Sequence, residues 1–463
     1  MNRLARTTLS VAVLSLVLAC GGGFKSAWAA DDQQRIPLGV LADEVPAPEA
    51  PARSQAVFVE ANAEQVARRA LAVPIPSPDR RRDVLRLLVD ARADWTLGEG
   101  LSAKLSARLD VFETRDDGRH RDEEFSLREA SLQWRASGED VAEVGRVNLR
   151  HGVALGFNPT DFFKARTTVD TSTRDPQVQR VNRLGTMMLN LQRVNADSSV
   201  LIAFAPRLTQ TSSLVEHEPQ QRLRLGDTNG ENRLLLKGQL PLFGDLRPEL
   251  LAFRDRHGWR VGVNLTQAFG QQVTGFLEYA GGRRKPLLRR TLENGVTDGD
   301  LPPATLSALP DVPERWLNDL AVGGTWTGSN RLSLSAEFAY HQGGLTREDW
   351  QRWFSLGTSG ADGTRLAWYL RGAANARLDP LFRRNIFLRA QWDQVGHRDL
   401  SFSAFVNRNL DDDSQLVQIA LELRAAPATR LRAMSLFTRG RADSQFGSDP
   451  ARRAVLLSVL HYF

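Results

Sequence analysis

The stretch that decides the fold spans residues 85–111 and has the sequence LRLLVDARADWTLGEGLSAKLSARLDV. Apolar side chains recur at every second position from Leu85 to Leu97 and again from Leu101 to Val111, with mostly polar or charged residues between them. A Gly-Glu-Gly turn at 98–100 separates the two runs. Because successive side chains of a β-strand point to opposite faces, the pattern predicts a hairpin of two strands, each over ten residues long.

The same alternation recurs in later parts of the chain, for example at 259–266, 332–340 and 417–424. Strands of soluble proteins usually run about five or six residues, whereas about 9–11 tilted residues are needed to cross a bilayer. One apolar face and one polar face on such long strands are typical of a membrane barrel. An open sheet edge in lipid would leave backbone groups unpaired, so the sheet must close. The sequence therefore predicts an all-β fold, a transmembrane antiparallel β-barrel.

The spacing of turns and loops predicts the number of strands. Counting back from the C-terminal strand gives seventeen strands from Val84, and 55–60 supplies one more before them, so we predict 18 strands with 16 as the alternative. Within the 341–383 loop, residues 365–377 have helical spacing, so we expect long outer loops with short helices. Short turns are predicted near 98–100, 137–140, 195–198, 241–246, 270–272, 328–330, 394–398 and 425–429, and long polar connections near 113–124, 152–183, 209–231, 281–315, 341–383 and 440–452.

Composition excludes several other classes of protein. The 463 residues include one cysteine, Cys20, which excludes a disulfide framework or a zinc finger. Mean hydropathy is −0.33, and a single short apolar run near the start does not make a helical membrane protein. The seven histidines show no metal-binding or catalytic spacing. We therefore predict no enzyme, no catalytic residue, no cofactor and no metal site.

The first residues resemble an export signal. Arg3 and Arg6 precede an apolar run at 9–19, and Ala27-Trp28-Ala29 fits a cleavage site, which predicts a signal peptide at 1–29. A lipoprotein signal ending at Cys20 is the alternative. We interpret residues 30–54 as a periplasmic linker rich in Pro and Ala, and 55–463 as the barrel. Cleavage would lower the formal net charge from +6 to +3, so no nucleic-acid partner is expected.

Two segments carry a family resemblance. The last strand, 455–463, ends in Tyr462 and Phe463 and resembles the assembly signal of Gram-negative outer-membrane barrels. This resemblance implies an outer-membrane location, with membrane lipid and the barrel-assembly machinery as partners. Residues 145–152 (GRVNLRHG) and 158–163 (NPTDFF) resemble a cassette of porin-like outer-membrane proteins of unassigned function, and the loop plan is similar to that of alginate-export barrels.

Alternation also predicts which side chains point into the barrel. Arg146, Asn148 and Arg150 share one face, and the apolar residues between them should face lipid. Charges in a lumen can select solutes by sign, but acidic residues interleave here, so a self-neutralising network is the other interpretation. The candidate pore-lining residues are Arg86, Arg92, Arg108, Arg146, Asn148, Arg150 and Arg389, and further inward-facing candidates are Asp90, Asp94, Lys104, Asp110, Glu278 and Glu422.

The Asn158-Pro159-Thr160-Asp161 stretch starts a turn, because Pro fixes φ and Asn and Asp side chains bond to nearby backbone. Two interpretations are open for Asn158, Pro159 and Asp161. They belong either to a loop that folds inward and narrows the pore, or to a turn that only shapes an outer loop.

These features predict a porin-like channel for passive passage of hydrophilic solutes, with anions favoured if the basic strip dominates the lumen. One alternative is a gated export port for a polysaccharide or lipid, working with an inner-membrane partner. Another is a non-conducting structural or adhesive surface barrel.

Overall fold

The chain forms one closed barrel of 18 antiparallel strands in which each strand pairs with its neighbours in sequence and the last pairs with the first. The computed structural model describes residues 53–75, 81–115, 119–209, 224–241 and 246–463. The strands are β1 (Arg53–Arg68), β2 (Arg81–Gly98), β3 (Leu101–Arg115), β4 (Arg119–Arg135), β5 (Asp140–Val147), β6 (Thr186–Val194), β7 (Ser199–Ala205), β8 (Arg233–Gln239), β9 (Glu249–Asp255), β10 (Gly258–Phe269), β11 (Val273–Arg284), β12 (Arg315–Thr327), β13 (Leu332–His341), β14 (Arg384–Asp393), β15 (Leu400–Asn409), β16 (Gln415–Ala426), β17 (Thr429–Arg439) and β18 (Ala451–Tyr462).

The first strand closes the barrel. Val59 of β1 lies opposite Val89 of β2 on one side and His461 of β18 on the other. The predicted count of 18 is confirmed, and the strand predicted at 55–60 lies in the first half of β1. The predicted signal peptide and all but the last two residues of the predicted linker lie outside the described residues.

A band of apolar side chains covers the outside of the barrel. In β7, Val200, Ile202 and Phe204 are exposed while the residues between them are buried. Exposed aromatic residues lie at both ends of the strands, with Trp134 and Phe269 beside short turns and Trp316 beside a long loop. Apolar side chains on the outer face between aromatic ends suit contact with a bilayer.

The connections alternate as the sequence predicts, with one difference. Short turns at one end follow the predicted positions, and the other end carries the long loops together with short connections at 256–257 and 410–414. The connection predicted at 113–124 is mostly strand, because β3 continues to Arg115 and β4 begins at Arg119. Strand lengths therefore range from 18 residues in β2 to 7 in β7. The wall stands higher on the β2 side than on the β7 side.

The helices lie in the connections. They are α1 (Pro176–Val181), α2 (Leu225–Thr228), α3 (Leu287–Thr297), α4 (Arg347–Gly357) and α5 (Ala361–Asn375), with a 3-10 turn at Pro303–Ala308. No helix among the described residues is both long and apolar enough to cross a bilayer. The helix predicted at 365–377 is α5, displaced by a few residues.

The helices α3, α4 and α5, with the 3-10 turn, form a cluster over the loop end of the barrel, which we call the helical cap. Its core includes Trp350 and Trp353, whose rings stack with centroids 4.7 Å apart. Arg371 of α5 lies over both rings and donates hydrogen bonds to the carbonyls of Gln445 and Ser448 in the last outer loop. The cap is therefore fixed to the barrel rim.

The apolar belt predicts that a charged side chain destabilises the barrel more in the middle of the bilayer than near its edge. Leu388 lies in the middle of β14 and is 47% exposed, so Leu388→Arg should lower the free energy of unfolding by about 2–4 kcal/mol. The same substitution at Leu423, next to a short turn, should cost at most about 1 kcal/mol. Urea unfolding of both variants in lipid vesicles measures the difference, and equal costs would contradict the proposed lipid contact.

Candidate functional site

The connection between β5 and β6, residues 148–185, folds into the barrel, and we call it the inward loop. Its long, mostly irregular backbone crosses the lumen and is held by side chains from opposite sides of the wall. Contacts from the strands include Arg86 and Arg92 of β2, Arg108 of β3, Arg128 of β4, Phe253 of β9, Asn264 of β10, Glu278 of β11, Glu337 of β13, Arg389 of β14 and Gln418 of β16.

Two buried carboxylates hold the first part of the inward loop. Glu278 accepts hydrogen bonds from the backbone N–H groups of Val153 and Ala154, the latter at 2.7 Å. Glu337 accepts those of Leu155 and Gly156, both at 2.7 Å. The two side chains thus satisfy four successive backbone donors at 153–156, where no regular secondary structure does so. We call this arrangement the carboxylate clamp.

Two glycines let the backbone approach the clamp. Gly152 has a φ of +70°, and a Cβ there would lie 2.5 Å from a Glu278 carboxylate oxygen. A Cβ at Gly156 would lie 2.5 Å from the Cβ of Phe387 on β14. Real Cβ atoms do not come this close, so side chains at either position would force the loop away from the wall.

The predicted constriction residues lie inside the barrel. Asn158 accepts hydrogen bonds from the backbone N–H groups of Thr160 and Asp161, at 3.2 and 2.8 Å, with buried Pro159 between them. Asp161 forms a bidentate ion pair with Arg183, with N···O distances of 2.7 and 3.0 Å. Burial opposes ionisation of Asp161, but the neighbouring arginines outweigh it and hold its pKa below the usual value. The loop therefore folds on itself before it meets the wall.

Several of the predicted pore-lining arginines bind the inward loop. Arg86 and Arg108 both contact Asp170, at 3.1 and 3.3 Å, and also contact Asp110 of β3. Burial raises the pKa of the Asp170 carboxyl, but these two cations reverse the effect and hold it well below its ordinary range. Arg92 donates to the side chain of Asn182 at 2.8 Å. These side chains point inward, as expected, but the loop covers much of their surface.

Of the other four predicted pore-lining residues, three form hydrogen bonds with the inward loop and one does not. Arg146 is buried and donates to the Gly185 carbonyl at 3.0 Å, and Arg389 donates to Asp175 at 3.1 Å. Asn148 lies just after β5 and accepts a hydrogen bond from Arg183 at 2.7 Å. Arg150 differs, because its side chain is exposed inside the barrel and bonds to no described residue. Enclosure in the barrel, with Arg180 and Arg183 nearby, lowers the pKa of Arg150.

Sequence reasoning missed Arg174, which lies at the bend of the inward loop. Its backbone N–H donates to Gln418 of β16 at 2.8 Å, while its side chain is exposed and bonds to no described residue. Sequence reasoning also missed Glu337 and Arg128 as loop contacts. The alternation in β4 and β13 could have placed both inside the barrel, but nothing in the sequence pairs them with residues far along the chain.

The inward-facing acidic candidates are mostly paired with arginines. Asp90 accepts from Arg128 at 2.6 Å, and Glu422 from Arg430 and Arg432, both at 2.7 Å. Lys104 is half exposed and lies 3.6 Å from Glu129. Asp94 is exposed. Much of the lumen charge is thus internally neutralised, whereas the side chains of Arg150 and Arg174 form no hydrogen bond or ion pair with a described residue.

Histidines offer no reactive set in the described part of the chain. His151 of the inward loop is buried, and burial together with Lys237 lowers its pKa to about 4, so it is neutral at pH 7. No group of three or more His, Cys, Asp and Glu side chains is placed there to hold a metal ion.

The predicted assembly residues lie where the barrel closes. The Tyr462 ring packs on Phe58 of β1 with centroids 5.5 Å apart, and Arg430 lies over the same ring. The Phe463 N–H donates to the Val57 carbonyl at 2.9 Å, and its side chain is half exposed. Recognition of these residues by an assembly machinery stays a prediction.

Comparison with known proteins supports the fold. No family model matches the chain, and no curated protein matches it. Acinetobacter baumannii OccAB1 has a similar solved structure, with 9% identity, a TM-score of 0.50, and 89% of this chain and 96% of that chain covered. Pseudomonas aeruginosa OccK5 (OpdH) matches at 10% identity and a TM-score of 0.49, and OccK2 (OpdF), solved in complex with glucuronate, at 12% and 0.48, each covering 89% of this chain and 98% of its own.

Identities this low establish the fold alone. That fold is a closed transmembrane β-barrel of 18 strands, and together with the apolar belt it places this chain in the outer membrane of a Gram-negative cell. The predicted barrel class and location are confirmed.

The carboxylate clamp predicts that its removal will loosen the inward loop. Ala154 is buried, so a cysteine at Ala154→Cys should react slowly with a water-soluble thiol reagent. Adding Glu278→Gln and Glu337→Gln weakens charge-assisted hydrogen bonds that contribute about 1.5–3 kcal/mol each, so labelling should speed up at least about tenfold.

The matched control is Glu143→Gln, since Glu143 is a lumen carboxylate of β5 that bonds to Ser131 and Asn190 rather than to the inward loop. It should leave the labelling rate of Ala154→Cys unchanged. Equal rates in the clamp variant and the parent would show that the carboxylates do not hold the loop.

Proposed function

We propose that this protein is a passive channel that lets small hydrophilic solutes cross the outer membrane, with a preference for anions. The barrel wall is apolar outside and polar inside, and a polar lumen can replace part of the hydration of a passing solute. The inward loop narrows that lumen at about the level where the β11 and β13 clamp residues lie.

The exposure of Arg150 and Arg174 carries the anion preference. Most lumen arginines are paired with carboxylates or loop carbonyls, as described above. The side chains of Arg150 and Arg174 are exposed and bond to no described residue. Two cations that are not neutralised at a constriction would attract solutes that carry a carboxylate, such as sugar acids, and repel cations.

The helical cap favours a second candidate function, a barrel that does not conduct at rest. Its packed core lies over the loop end, and Lys164 of the inward loop bonds to Asp379 just beyond α5 at 3.0 Å. The two elements would then close the barrel together. A gated export port with an inner-membrane partner would belong to this class, and a structural or adhesive surface barrel is its permanently closed form.

Planar-bilayer recording of the refolded protein under a potassium chloride gradient tests the proposal. We expect stable conductance steps with a reversal potential that shows anion preference. Arg150→Glu and Arg174→Glu should each move that potential towards cations, and the double variant should move it further.

Arg398→Glu serves as the control, because Arg398 is 86% exposed in a short turn outside the lumen. It should leave the reversal potential close to that of the parent. A reversal potential that neither lumen variant changes would remove these residues from the conduction path. A folded but silent protein would favour the closed barrel instead.

A further inference from the structure

A second group of cations lies where the inward loop, the helical cap and the barrel rim meet. Five basic side chains come from five different elements and converge on three aspartates. The cations are Lys164, Arg260, Arg284, Arg290 and Arg377, and the anions are Asp255, Asp319 and Asp379. We call this group the junction cluster.

Three of the five cations have a carboxylate of their own. Arg260 donates to Asp255 at 2.8 Å, and Lys164 bonds to Asp379 at 3.0 Å. Arg284 donates to Asp319. After these three pairs have formed, no aspartate of the cluster is left without a cation.

Arg290 and Arg377 are left without a partner of their own. Among the described residues, each forms an ion pair with Asp379 alone, and at 3.8 Å, which is beyond hydrogen-bond distance. The Nε atoms of both, and the Nε and Nη1 atoms of Arg284, are buried and donate to no described residue. Arg290 is 4% exposed, so water does not compensate its charge. Burial, Arg377 and Arg284 lower its pKa well below the ordinary value.

Neighbouring titratable groups do not supply the missing negative charge. His341 bonds to Asp319 at 2.7 Å. Burial lowers the pKa of His257 to about 4, so that ring is neutral at pH 7. At the edge of the cluster, the carboxylates of Glu231 and Asp298 both face Arg256, at 3.5 and 2.6 Å. The junction cluster itself, with five cations and three aspartates, carries an excess of two positive charges.

We propose that the junction cluster is a binding site for one oxyanion group, a carboxylate or a phosphate, held between Arg290 and Arg377 with Arg284 beside them. Guanidinium groups present planar forks of donors that match the oxygens of such groups. The side chains of Arg377 and Asp379 are 19% and 17% exposed, which marks the side from which the anion enters. The negative charge of Asp379 repels an incoming anion and offsets the attraction of a single guanidinium group. The anion must therefore contact both guanidinium groups at once.

This site would capture an anion at the loop end of the barrel, above the constriction at Arg150. Its role in uptake rests on the proposed channel function, but anion binding itself does not. A solute held there by two arginines would next meet the exposed Arg174 and Arg150 of the lumen.

Calorimetric titration of the full, detergent-folded protein with inorganic phosphate and, separately, with acetate tests the site. We expect saturable binding of at least one of the two anions at one site per chain. Arg290→Gln and Arg377→Gln should each weaken that binding at least about tenfold, because each removes one of two charge-assisted contacts.

Arg347→Gln is the matched control, since Arg347 is exposed at the start of α4 in the same cap and outside the cluster. It should bind as the parent does. Arg377 is less buried than Arg290, so Arg377→Gln keeps the test intact if Arg290→Gln does not fold. Binding of phosphate alone, acetate alone or both supports the site and identifies the group that it takes.

Absence of saturable binding by both anions in the parent, or binding that neither arginine variant weakens, would overturn the site. Recording the same samples in bilayers separates the two proposals. Anion-selective conductance without binding leaves the channel standing and removes the junction site, whereas binding by a silent barrel does the reverse.

Discussion

The structure depends on one demand, that each buried backbone N–H and C=O find a hydrogen-bond partner. In the wall, neighbouring strands meet the demand, and the pairing of β1 with β18 removes the two edges that an open sheet would expose to lipid. In the inward loop, no strand is available. Glu278 and Glu337 meet it there, and they accept four successive N–H groups. The wall and the loop are thus two solutions to the same problem.

The charges of the lumen follow from this arrangement. A loop that crosses a barrel interior buries polar groups from the wall as well as its own, and unpaired buried charges are costly. Arginines of β2 and β3 therefore converge on Asp170, and Arg183 on Asp161. Where pairing is complete, the charges stabilise the loop. Where it is incomplete, at Arg150 and Arg174 in the lumen and at Arg290 and Arg377 where the cap meets the rim, the cations have no carboxylate of their own.

The sequence predicts the wall far better than its contents. Alternation is a local signal, so residues 85–111 are enough to place Arg86 and Asp90 inside the barrel and Leu85 and Leu87 outside it. The same local logic finds the helix α5 within an outer loop. The inward fold of residues 148–185 is a different matter. Its clamp joins Ala154 to Glu278 and Gly156 to Glu337, which are 124 and 181 residues apart in sequence, and periodicity does not report such pairs. The turn at Asn158 and Asp161 is visible in sequence, but whether it points inward is not.

Hydrogen–deuterium exchange of the inward loop tests the central claim most directly. Irregular loop amides that face water exchange rapidly, whereas amides that donate to buried acceptors exchange only when the structure opens. If the carboxylate clamp holds the loop across the lumen, the amides of residues 153–156 in the folded, detergent-solubilised protein should exchange as slowly as those of the adjacent strands β11 and β13. Exchange of these four amides as fast as in an unstructured peptide would contradict the account, because the loop would then lie outside the clamp.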